Sequence, residues 1–368
     1  MTEVTDSTGS RPGDAGLEEL TEPDLRAYRA LRDSAALLVG QERTILEVRG
    51  KEAREHFGGL LTNHVEALEE GDGAYTFMLT PKGRPVAEMR ILAASTGGSD
   101  GEGDEGDVLW VDVPGACVDS ALEHLGRFLP PRLASYEVVE GLRRIGVVGP
   151  AADTVVEAAG LPVPPGNELA HRALPADGPA GIQRVARREG IEGPGMDMYL
   201  PGDRIQAARE ILRGPLEEAG GTASGDAAWE PYRVERGLPV YGPEIDPDVL
   251  PQETGQQGRA VDFEKGCYTG QEVVARIHYR GKVNRHLRGL RFHGPGGEEG
   301  AGELPPAEGV LHGDGRSRGT VTSTARSPRL GSIGLGYVRR EVQPGETLNV
   351  GGEDGPPCTV VELPFPGA

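Results

Sequence analysis

Lys265-Gly266-Cys267-Tyr268-Thr269-Gly270-Gln271-Glu272 joins two structural signals to one chemical signal. Thr269 and Glu272, three apart and followed by Val273-Val274-Ala275-Arg276, have the spacing of a capping box. A helix is therefore expected to open here, with the Thr hydroxyl accepting from an early helical N–H and the Glu reaching back to the cap. Gly266 and Gly270 flank the turn and let the backbone bend or approach a neighbour closely. Cys267 falls two residues before the expected cap, in the positive field of a helix start, and Lys265 lies two residues upstream. Both effects favour the thiolate that a reactive cysteine requires. The competing reading is a small packed hydrophobe, the usual state of a free cysteine.

Taken further, Asp262 to Arg276 followed by Tyr279-Arg280-Gly281-Lys282-Val283 resembles the signature of the YgfZ family. Its members are folate-binding proteins related to the glycine cleavage T-protein, an aminomethyltransferase. T-proteins have a similar segment without this cysteine pattern. The resemblance implies an α+β, T-protein-like folate-binding fold with a small C-terminal β-barrel, and tetrahydrofolate as the cofactor. It further implies an accessory protein that assists iron–sulfur cluster assembly or repair, with iron–sulfur client or assembly proteins as partners. Cys267 would be its chemical actor and Lys265 would tune it. Two alternatives stand beside this: a folate-dependent aminomethyltransferase or demethylase, and a folate-binding or salvage module in which Cys267 only packs.

Upstream, Tyr232-Arg233-Val234-Glu235-Arg236-Gly237-Leu238-Pro239 resembles the relatives' R-x-E-x-G-x-P pattern. That resemblance implies that Arg233 faces the folate, with Arg236 as the neighbouring alternative; Glu235 is expected in a structural ion pair. Gly195 to Leu200 reads as a strand carrying Asp197. In the T-protein superfamily an acid here pairs with the pterin amide and amino groups. A carboxylate suits that task because both oxygens accept side by side. By itself, without the resemblance, Asp197 reads as an ordinary strand-surface acid.

Ala74 to Thr80 and Arg84 to Ala93 bracket Pro81-Lys82-Gly83 as a hairpin. The resemblance implies that its two strands line the ligand site, with Tyr75 on the first and Glu88 on the second. T-proteins place two adjacent aspartates on the second strand, one of them catalytic; here the pair is Ala87-Glu88. One acid is gone and the other has a longer arm. An acid that must reach a reacting nitrogen tolerates little displacement, which counts against aminomethyl transfer. At Leu61-Thr62-Asn63-His64, where the relatives commonly have Thr-Asn-Asp, His64 departs from the pattern.

The chain divides into a polar tail over 1–22, a region over 23–282 that the resemblance implies to be T-protein-like, folate-binding and built of two subdomains, and a barrel over 283–368. Helices are expected over 51–61, over 203–218 with Asp203 as its cap, and over 227–237. Gly101 to Gly106 fits G-x-G-x-x-G literally, but its acids would repel a pyrophosphate and no strand leads into it. His286, His293 and His312 lack metal-ligand spacing.

Composition narrows the partners. The 368 residues carry 58 acidic and 38 basic side chains, a net charge of −20. Such a charge repels nucleic-acid phosphates and anionic membrane surfaces. Cys117, Cys267 and Cys358 are too far apart in sequence to suggest a disulfide framework or a cysteine-only metal site. With no basic-apolar leader and no apolar run of about 20 residues, the expectation is a cytoplasmic protein.

Overall fold

The computed structural model describes residues 20–40, 42–94, 106–175 and 177–368. The tail, apart from its last residues, and all of the Gly101–Gly106 motif except Gly106 lie outside the described residues. The first half of the chain holds α1 (Glu22–Asp33), β1 (Ala36–Leu38), β2 (Arg43–Gly50), α2 (Ala53–Gly58), β3 (Gly73–Leu79), β4 (Pro85–Ala94), β5 (Asp107–Pro114), α3 (Val118–Phe128), β6 (Ser135–Val138), β7 (Leu142–Val148) and α4 (Ala152–Ala158). Then come β8 (His171–Ala173), β9 (Arg184–Arg188), β10 (Gly195–Pro201), α5 (Ile205–Glu218), β11 (Thr222–Ser224), α6 (Asp226–Arg236), α7 (Gln257–Ala260) and α8 (Gln271–Arg280). The C-terminal strands are β12 (Arg285–Phe292), β13 (Val310–Gly313), β14 (Arg316–Ser327), β15 (Gly331–Arg339), β16 (Thr347–Val350) and β17 (Pro357–Val361).

Two sheets stack face to face. One has the order β3-β4-β5-β2-β6, the other β11-β1-β7-β10-β9-β8. Side chains alternate along each strand, so each sheet has an outer and an inner face. On the first sheet Leu46, Val48, Ala87, Met89, Ile91, Leu109 and Val111 pack outward with Phe57 and Leu125 of α2 and α3. On the second, Ile145, Val147, Val185, Met196 and Met198 pack outward with Val155 and Leu212 of α4 and α5. The residues between them in sequence, among them Glu88, Arg90, Asp112, Arg144 and Asp197, are consequently turned into the space between the sheets and are buried. A one-residue register slip would move each of them into an apolar core.

The C-terminal strands close into a barrel, β12-β15-β14-β13-β16-β17, around Leu290, Phe292, Leu311, Val321, Val338 and Val360. Gly334 is required by this packing: a Cβ there would stand 2.6 Å from the Ser323 carbonyl and 3.0 Å from the Phe292 ring. The barrel is tied to the rest through α6. Glu235 accepts from Tyr28 at 2.6 Å and pairs with Arg32 at 2.9 Å and Arg329 at 3.1 Å, the structural role expected of it. No helix among the described residues is long and apolar enough to cross a membrane.

Three local expectations fail. The capping box does not form: the N-cap is Gly270, at φ 85°, and no side chain caps the helix. A Cβ at residue 270 would come within 2.6 Å of the Thr80 carbonyl. This close approach to the β3–β4 turn, open only to glycine, sets the helix start. Glu272 instead pairs along the exposed face with Arg276. Asp203 lies in a 3₁₀ turn, and α5 starts at Ile205 behind Arg204 without a side-chain cap. The helix expected over 51–61 is shorter, Ala53–Gly58.

Candidate functional site

The inward-turned charges form a connected layer between the sheets. Asp112 of β5 receives Nε of Arg43, lies 3.3 Å from Nη1 of Arg144 and 3.7 Å from Nη1 of Arg90, and accepts the Tyr199 hydroxyl at 3.0 Å. Asp197 of β10 accepts from Arg144 at 3.2 Å on one oxygen and from Arg188 at 3.1 Å on the other. Glu192 binds Nη2 of Arg90 at 2.6 Å, lies 3.4 Å from Arg188, and pairs with Arg259. Arg259 also holds Glu168, and Arg43 holds Glu88 at 3.0 Å.

Arginine matches carboxylate here, as isolated buried charges would not be tolerated. Burial alone would raise the Asp112 carboxyl; Arg144, Arg43 and Arg90 outweigh it and hold it down at about 2. Burial opposes ionisation of Glu192 in the same way, and Arg90, Arg259 and Arg188 push it well below the carboxylate range. Aromatic rings wall the layer. The Arg259 guanidinium lies 3.8 Å from the centre of the Tyr75 ring, and Arg184 lies 4.7 Å from that of Trp110. Trp110 and Tyr199 meet edge to face at 6.1 Å.

Of the residues singled out in the sequence, the structure brings Asp197, Tyr75 and Glu88 to this layer. Arg233 is not among them. Its Nε and Nη2 grip Glu230 at 2.7 and 2.6 Å, Nη2 also donates to Ser323 at 2.8 Å, and Nη1 donates to Glu244 and the Leu238 carbonyl, both at 3.2 Å. It is 2% exposed and joins α6 to β14. Its donors are spent on the chain itself, which corrects the ligand-facing role. Arg236, the alternative, donates to the backbone carbonyls of Ile191 and Gly190.

Lys265 is corrected likewise. Its ammonium is buried and donates to the carbonyls of Gly58 at 2.8 Å, Asn63 at 2.9 Å and Leu61 at 3.0 Å, with Glu66 at 3.5 Å. Burial lowers its pKa and Glu66 partly restores it. It is an anchor rather than a charge free to tune Cys267. Tyr268 is buried beside it, and the Thr269 N–H donates to the Gly59 carbonyl at 3.0 Å. Gly266 and Cys267 therefore stand out, exposed, between fixed neighbours. His64, whose turn Lys265 clasps, is half exposed, 3.7 Å from Asp262 and 3.9 Å from Glu66.

The sequence reading missed Arg43, Arg90, Asp112, Arg144, Arg188, Glu192 and Arg259. Most carried a signal. Glu88 and Arg90 alternate within an apolar run, as does Asp112 between Val111 and Val113. Charges at period two inside apolar strands mark a buried polar face rather than a solvent face.

The free donors and acceptors of this layer suit, in their chemistry, a planar group rich in acceptors that also carries an N–H pair. Nη1 of Arg90 and Nε of Arg188 are buried donors with no hydrogen-bond partner. Each Asp197 oxygen receives one guanidinium and keeps a second acceptor site. Asp197 is 1% exposed, enclosed with the two guanidinium groups that bond it.

The cysteines yield a direct prediction. Cys117 and Cys358 are buried, and burial pushes both thiols up to about 12, whereas Cys267 is exposed. In the native protein a thiol reagent followed by peptide mass mapping should modify Cys267 alone, with the other two reacting only after denaturation. Prompt native labelling at Cys117 or Cys358 would contradict this arrangement.

Compared with known proteins, residues 18–265 match the GCVT N-terminal domain and residues 285–366 the glycine cleavage T-protein C-terminal barrel domain. The aminomethyltransferase of Frankia alni is 27% identical over 346 residues, covering 93% of this chain and 88% of that protein. The mitochondrial aminomethyltransferase of Gallus gallus is 28% identical over 335 residues, covering 86% of this chain and 78% of that protein. The crystal structure of the glycine cleavage system aminomethyltransferase T from Bartonella henselae superposes with a TM-score of 0.78 at 20% identity, covering 93% of this chain and 89% of that one. At that identity the superposition speaks for the fold.

Proposed function

This chain belongs to the glycine cleavage T-protein family, and from that membership we propose that it binds tetrahydrofolate between its two sheets and assists iron–sulfur cluster assembly or repair in client enzymes through Cys267. The observation that carries the reading is the mounting of Cys267. A thiol held on a short exposed loop between a buried lysine clasp and a buried tyrosine is presented outward to another molecule. A cysteine that only packs would be enclosed like Cys117 or Cys358.

Tetrahydrofolate would supply a one-carbon carrier. Asp197 would accept from its pterin N–H groups, Arg90 and Arg188 would donate to its acceptors, and Tyr75 and Tyr199 would flank it. Aminomethyl transfer, the activity in the relatives' names, is the rival reading. Against it stand Ala87, turned into the apolar core, and Glu88, whose carboxylate is held by Arg43. The setting we propose is the cytoplasm.

The test is calorimetric titration with tetrahydrofolate of the wild type, Asp197→Asn and Cys267→Ser, alongside the cluster content of client enzymes in cells carrying each form. Asp197→Asn should weaken binding about tenfold or more, the worth of a charged hydrogen bond. Cys267→Ser should bind folate normally and fail to support the clients. A folded wild type without saturable binding would sink the folate reading. Full client support by Cys267→Ser would sink the thiol reading.

A further inference from the structure

We propose that the face built from the β3–β4 turn, the end of α8 and strands β12 and β15 docks an acidic segment of a partner polypeptide. On the reading that Cys267 serves clients, it would seat that segment beside the thiol. The face stands out against the chain's charge. Between Val273 and Gly297 there is no Asp or Glu, in a chain of net charge −20; of the six cations there, Arg276, Arg285, Arg288 and Arg291 pair with acids from elsewhere, while Arg280 and Lys282 do not among the described residues.

Folding adds Arg84 and Arg339 from elsewhere, which with Arg285 line a groove of about 370 Å³, together with Asp248, Glu253 and Tyr337. Lys282 and Arg340 line a neighbouring hollow of about 600 Å³. The two adjoin, because Arg285 is paired with Arg339 across the strands and the Arg340 N–H donates to the Asn284 carbonyl at 3.0 Å. Arg280, Lys282, Arg339 and Arg340 have no ion-pair partner among the described residues, and Arg84 donates only to the Asp248 carbonyl, at 2.7 Å. Tyr279, next to Arg280 on the last turn of α8, is 68% exposed and offers an apolar anchor. The face borders the Cys267 loop: Gly83 of the β3–β4 turn packs on Val273 and Gly270 at the start of α8.

Unpaired cations and an exposed aromatic ring fit an acidic partner. A polypeptide fits better than a nucleic acid. Asp248, Glu253 and Glu341 are interleaved with the cations in both hollows. Carboxylates so placed oppose a continuous phosphate chain but leave room for acidic side chains at intervals, and the overall charge repels a long polyanion.

The experiment is fluorescence anisotropy on the full chain with a labelled oligoglutamate peptide and, separately, a labelled oligothymidylate strand. The peptide should bind at low salt and weaken as ionic strength rises to about 0.15 M. Arg339→Glu with Arg340→Glu should weaken it about tenfold or more, and Arg209→Glu with Arg213→Glu on α5 should leave it unchanged. Should the charge reversal disturb the barrel, Arg339→Gln with Arg340→Gln must still weaken binding. Equal affinity in the two reversed variants would overturn the proposal. So would tighter binding of oligothymidylate, or a wild-type dimer that the 339/340 changes dissociate. Cys267→Ser without folate should bind the peptide like the wild type, which separates this result from the fate of the folate and thiol readings.

Discussion

Arg233→Ala is expected to destabilise the fold by about 3–5 kcal/mol, the cost of breaking a buried ion pair from one side. The guanidinium satisfies Glu230 and Glu244 together, and both are buried, Glu244 completely. Thr322 and Ser323 hydroxyls also donate to Glu244, at 2.8 and 2.6 Å, but they carry no charge to balance it. Removing Arg233 leaves two carboxylates without their cation at the junction of α6 and the barrel. Burial raises the Glu230 carboxyl even with Arg233 in place. In the variant its folded pKa rises further above the unfolded one, so the loss should shrink as pH falls from neutrality. Chemical denaturation at two pH values measures this. Adding Glu230→Gln should recover part of the stability, because one orphaned charge is then removed. A variant that unfolds like the wild type would mean that the junction does not depend on this arginine.

The second large effect is expected at the inter-sheet layer. Asp112→Ala removes the carboxylate shared by Arg43 and Arg144 and the acceptor of the Tyr199 hydroxyl. The cost should again be about 3–5 kcal/mol, because several buried cations lose a counter-charge. The same residue sets an acid limit. Its folded pKa of about 2 lies below the ordinary aspartate value of about 3.9. Its contribution, on the order of 2 kcal/mol, is therefore complete above about pH 4 and lost as pH falls through about 2. Glu192, also held down by arginines, adds to the loss in the same direction. Unfolding followed by circular dichroism from neutral pH downward should show stability falling steeply in that window, with a shallower fall in Asp112→Asn. A flat profile there would show that the arginines do not hold these carboxylates ionised.

Much of the architecture was legible in the sequence. Ala74 to Thr80 and Arg84 to Ala93 around Pro81-Lys82-Gly83 marked a hairpin, and the region after Val283 was marked as the barrel. These signals are local: periodicity and turn chemistry act over a few residues. The resemblance of 262–283 to the YgfZ family pointed to relatives of the glycine cleavage T-protein, and it is the T-protein domains that residues 18–265 and 285–366 match. What the sequence could not give was the partner of each charge. Arg233 reads as a ligand-facing arginine until Glu244 and Ser323, 11 and 90 residues away, are brought to it. Lys265 reads as a neighbour of Cys267 until its side chain is seen to reach carbonyls more than 200 residues earlier. Even the start of α8 was decided from a distance, by the Thr80 carbonyl against Gly270. The sequence by itself determined where most strands and helices lie and which faces are apolar. The tertiary structure alone decided which charges meet, because a buried charge must find its counter-charge in space and not along the chain.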